Sequence, residues 1–130
     1  MYETGDHLLD LLKDKVVHEI NGDEGDEELE FHTTDGMVLT LYHDRDCCES
    51  VQVNEIVGDL DDLIGVPILE VYCETNQDEG LPENEYDYDH YTWTFYRFTT
   101  IKGTVTVRWL GTSNGYYSER VDVRVTDGQT

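Results

Sequence analysis

Alternation of apolar and polar residues, punctuated by glycine turns, most narrows the folds open to this chain. Successive side chains on a strand point to opposite faces. Period two with turn residues between runs therefore reads as hairpin-linked strands with one buried face. Thr104 to Leu110 puts Val105, Val107 and Trp109 on one face, and Tyr116 to Val125 does the same for Val121, Val123 and Val125. Tyr91 to Ile101, aromatic and β-branched, precedes them. Lys102-Gly103 and the Gly111-Thr112-Ser113-Asn114-Gly115 run supply the turns. The three segments predict a C-terminal antiparallel meander.

Earlier in the chain the pattern repeats. Glu28 to Thr33 and Met37 to Tyr42 flank Asp35-Gly36, a hairpin signal, with Leu29, Phe31, Met37, Leu39 and Leu41 facing inward. Val16 to Ile20 ends at Asn21-Gly22; Val51 and Val53 mark a short strand near 50–55; Pro67 to Cys73 reads as a strand starting at its proline. Only two segments look helical. Residues 6–14 carry a leucine stripe (Leu8, Leu9, Leu11, Leu12) with Asp6 placed to cap, and residues 59–64 suit one turn capped by Asp59. The predicted fold is α+β: one domain over residues 1–130, mainly antiparallel sheet, with the C-terminal meander, a short N-terminal helix packed on it and an acidic loop at about 74–89.

Charge narrows the partners. Asp and Glu number 30 against 8 Lys and Arg, a net of -22 over 130 residues. Direct binding to nucleic acid or to an anionic membrane is disfavoured. No run approaches the roughly 20 apolar residues of a membrane span. The N-terminus, Met1 to Asp6, lacks a basic region, so a cytoplasmic protein is expected. All acids except Glu119, Asp122 and Asp127 precede residue 91, and the two densest blocks lie at 19–30 and 74–89. Solvated loops are the plain reading. Adaptation to high salt and mimicry of nucleic acid compete with it, and mimicry would need carboxylates on ordered structure.

Every arginine but Arg45 lies after residue 96. Arg108, Arg120 and Arg124 face away from the valines. Pairing with the acidic segments accounts for them. The alternative is a basic, aromatic-rimmed patch for a small anionic ligand, joined by Asn114, Tyr116 and Tyr117 of the adjoining turn. The densest polar segment is 43–50. His43, Asp46, Cys47, Cys48 and Glu49 are all metal-ligand types, although the spacing is poor for structural zinc. A satisfied network, with His43 bonded to Asp44 or Asp46, is the plainer expectation. A thiol nucleophile is opposed by the surrounding carboxylates, which raise a thiol pKa. Three cysteines, two of them adjacent, suit a reducing compartment rather than a disulfide framework.

The segments His43 to Val51, Gly58 to Gly65, Tyr91 to Tyr96 and Trp109 to Glu119 together resemble a family of small proteins of bacteriophage and bacterial genomes, catalogued as a domain of unknown function. The resemblance brings no activity, cofactor or catalytic residue with it. It implies a setting, the host cytoplasm for a phage-encoded chain, and favours a protein acting on a host component. The expected function is a non-enzymatic accessory binding protein, an inhibitor or decoy of a host protein. The alternatives are sequestration of a small anionic ligand and a metal- or thiol-dependent enzyme using 43–50. No cofactor is predicted, a divalent metal at 43–50 belonging to the enzyme alternative, and the oligomeric state is open.

Overall fold

A computed structural model describes residues 6–45, 48–76, 90–113 and 119–127. Two antiparallel four-stranded sheets face each other in it. The first sheet holds β1 (Val17–Asn21), β2 (Leu29–Thr33), β3 (Met37–Tyr42) and β8 (Asp122–Asp127), in the order β1-β2-β3-β8. The second holds β4 (Ser50–Val57), β5 (Glu70–Asn76), β6 (His90–Thr100) and β7 (Gly103–Ser113), in the order β4-β7-β6-β5. The α+β class expected from the sequence is present, weighted heavily to β.

Alternation explains the shared core. Leu29, Phe31, Leu39, Leu41 and Val123 of the first sheet are buried against Val53, Tyr96, Phe98, Val105, Val107 and Trp109 of the second. Phe31 and Phe98 join the sheets with ring centroids 4.9 Å apart. The β2–β3 hairpin closes at Asp35-Gly36 as expected, with Gly36 N donating to Thr33 O. Met37 N donates to Thr33 Oγ1, and that hydroxyl donates to Asp35 Oδ1.

The meander is displaced by one strand. Its members are β5, β6 and β7, and the last strand, β8, pairs with β3 in the other sheet. The reason is geometric: β7 is paired on both sides, with β6 and with β4, so it has no edge to offer β8. The chain crosses the end of β7 instead. A Cβ built on Gly111 would lie 2.3 Å from Glu119 O, so only glycine lets the two backbones approach.

The N-terminal helix is a 3-10 helix, Asp6–Leu12, rather than an α-helix. Three residues per turn stack positions i and i+3. Leu9 and Leu12 are therefore both buried while Leu11 is left 45% exposed. It contacts β5 and β8, the edge strands of the two sheets, instead of lying on one sheet face. A second 3-10 turn, Leu60–Leu63, is capped as expected: Asp59 Oδ1 accepts from Asp61 N at 2.9 Å. Among the described residues no helix is long and apolar enough to cross a membrane.

Candidate functional site

The segment after β3 and the start of β8 meet because Tyr42 pairs with Asp122. His43 then lies between these two segments with its side chain 5% exposed. Its Nδ1 donates to the carbonyl of Arg120 at 2.7 Å, and its Nε2 lies 2.6 Å from Glu49 Oε2. A carbonyl has no hydrogen to offer, so Nδ1 carries one. The gap between Nε2 and the fully buried Glu49 carboxylate holds another, since two bare acceptors at that distance would repel. Asp122 completes the cluster: Oδ2 accepts from Asp44 N at 2.9 Å and Oδ1 from Arg120 Nε at 2.8 Å. This is the polar network expected around His43, with different partners. Among the described residues Glu49 and the Arg120 carbonyl, rather than Asp44, are bonded to the ring.

The network bears on the metal and thiol expectations. His43 and Glu49 converge, but the ring nitrogen and the carboxylate that a metal would use are committed to each other. Cys48 is exposed, and Cys73 is a thiol outside any disulfide. Asp46 and Cys47 lie outside the described residues. Among the described residues no group of three or more His, Cys, Asp and Glu is placed to hold a metal ion.

The three arginines do not share a patch. Arg108 belongs to β7 in the second sheet, Arg124 to β8 in the first, and Arg120 to the approach to β8. Arg108 pairs with Glu55 at 2.8 Å and lies over the Trp93 ring, 4.5 Å from its centroid. Arg120 pairs with Asp122. Arg124 lies over the Tyr42 ring at 4.7 Å. Asn114, Tyr116 and Tyr117 lie outside the described residues. Glu119, not singled out in the sequence, accepts from Thr92 Oγ1 at 2.8 Å and from Ser113 Oγ. Those partners are set by the crossing at Gly111, which leaves no local signal.

The first acidic block is ordered. Gly22 turns the chain out of β1 with φ +133°, where a Cβ would meet Glu28 O at 2.6 Å. The following loop then lies along the edge of β4. Gly25 N donates to Val53 O at 2.7 Å, and Val53 N donates back to Asp26 O at 2.9 Å. Ile56 N donates to Glu24 Oε2 at 2.8 Å. Glu27 and Glu28 are exposed on this loop, with Glu19 and Glu30 on the neighbouring strands. Two depressions of about 490 and 440 Å³ flank it, one lined by Asp23, Glu24 and Asp59, the other by Asp26, Glu27, Glu28 and Glu30. The loop covers part of a sheet edge and presents carboxylates on a fixed backbone. Most of the second acidic block, from 77 to 89, lies outside the described residues.

A family model described as "Domain of unknown function (DUF7448)" matches residues 10–123, from within the N-terminal helix to the first residues of β8. No curated protein and no solved structure matches the chain.

Proposed function

We propose that this chain, which belongs to the DUF7448 family of unknown function, is a non-enzymatic binding protein that docks its acidic β1–β2 loop on a basic surface of another protein. The observation that carries the reading is the pairing of that loop with the β4 edge through Gly25, Asp26 and Val53. Carboxylates on a held backbone keep a fixed spacing, so they can complement a particular arrangement of Lys and Arg rather than merely solubilise the chain. The net charge of -22 adds long-range steering that raises association rates and weakens with salt.

The resemblance to proteins of phage and bacterial genomes supports the finer reading: a phage-type accessory protein that inhibits or decoys a host protein in the host cytoplasm. The reading as a metal-dependent enzyme at 43–50 loses support from the His43–Glu49 pairing. The arginine-patch reading loses support from the separate partners of Arg108, Arg120 and Arg124.

The test is competitive capture from bacterial lysate with wild type and a Glu19→Gln/Glu27→Gln/Glu28→Gln variant, none of whose three side chains is described in a bond that shapes the loop. Wild type should hold a basic protein that moderate salt releases, and the variant should bind it at least about tenfold more weakly. Equal retention by both proteins would refute the acidic-loop reading.

A further inference from the structure

A cleft of about 290 Å³ opens where β8 begins. Its floor comes from two paired strands: Cys73 stands opposite Tyr96 and Thr75 opposite Thr94. Alternate residues share a face, so these four side chains form one patch on the second sheet. Arg120, Val121 and Asp122 line the other side. Thr75 and Arg120, both exposed, mark its mouth.

Thr94 is only 2% exposed, and its Oγ1 has no hydrogen-bond partner. A buried hydroxyl left unsatisfied costs about 1–3 kcal/mol. Packing does not call for one here, since valine has nearly the same shape. Trp109, directly across from Thr94 on β7, holds a second buried donor without a partner, Nε1. The volume lies at the small end of ligand pockets, about 300–1,000 Å³, and far exceeds the roughly 30 Å³ share of one water. Charge chemistry at the cleft is already internal: Asp122 accepts from Arg120 and Asp44. What remains is hydroxyl, thiol, aromatic and aliphatic surface, in a molecule whose net charge of -22 repels anions.

We infer that this cleft is a binding site for a small uncharged molecule that hydrogen-bonds Thr94 Oγ1. The site is separate from the acidic loop, and neither proposal depends on the other. Cys73 provides a reporter inside it, because an occupant shields the thiol from alkylation.

The experiment follows iodoacetamide modification of Cys73 by peptide mass spectrometry in the intact chain. The probes are uracil, nicotinamide and D-glucose, with orotate and nicotinate as anionic counterparts of the first two. At least one uncharged probe should slow modification about tenfold at a concentration near ten times its Kd and raise the melting temperature. Thr94→Val should abolish both effects while the free variant melts no lower than wild type. No protection by any uncharged probe, protection that survives Thr94→Val, or equal protection by the anionic counterpart would each overturn the inference.

Discussion

His43 and Glu49 form a buried pair, with Nε2 2.6 Å from the carboxylate. His43 was legible as a polar anchor, because a histidine amid acids after a strand needs partners. Glu49 lies in the same short segment, whereas the Arg120 carbonyl arrives from the far end of the chain and has no local signal. The pair predicts a steep stability cost. Glu49→Ala leaves a buried imidazole without its acceptor and should lose about 3–5 kcal/mol in urea unfolding at unchanged m. Glu49→Gln keeps an acceptor oxygen for Nε2 and should lose less. Arg108 shows how register hides a partner. The bulge between Val53 and Glu55 is what places Glu55 opposite Arg108, and alternation alone does not announce a bulge. Asp35 gives a pH signature. Its hydrogen bond from Lys15, then that from Thr33, lowers its pKa from 3.8 to about 2. A depressed carboxylate pKa means stability that is fully present above pH 3.8 and is lost as pH falls through about 2. Lys15→Met should return the Asp35 titration, followed by NMR, toward 3.8.

At the scale of elements, local patterns were readable and long-range pairings were not. The β2–β3 and β6–β7 hairpins follow from Asp35-Gly36 and Lys102-Gly103 with alternation on either side. The valines of β8 specify a strand with a buried face, and either sheet could accept it. The choice lies in the occupied edges of β7 and in Gly111, which reads locally as a turn glycine and acts as a crossing point. Gly111→Ala drives a Cβ into the Glu119 backbone, and it should destabilise by about 1–3 kcal/mol or more. Loosened hydroxyl contacts to Glu119 should appear in the NMR shifts of Thr92 and Ser113. The N-terminal leucines also read only partway. Their stripe signalled a docked helix, while the tighter 3-10 winding selects Leu9 and Leu12 as the buried pair. Leu12→Ala should therefore cost about 2–5 kcal/mol, and Leu11→Ala far less, in the same unfolding assay.

For the whole molecule, charge sets the behaviour. Thirty acids against eight bases strain the folded state through self-repulsion, so the melting temperature should rise with salt as the Debye length falls below about 10 Å. Composition displayed the acidity at once. It did not display that residues 22–28 lie along the β4 edge, because that contact joins segments distant in sequence. The functional account depends on this contact, since carboxylates on a loose loop would steer partners without selecting among them. Native-state hydrogen exchange at Gly25 and Val53 tests it most directly. Both amides should exchange at least about a hundredfold more slowly than in an unstructured peptide, while exchange at peptide rates would contradict the ordered acidic surface and the binding function built on it.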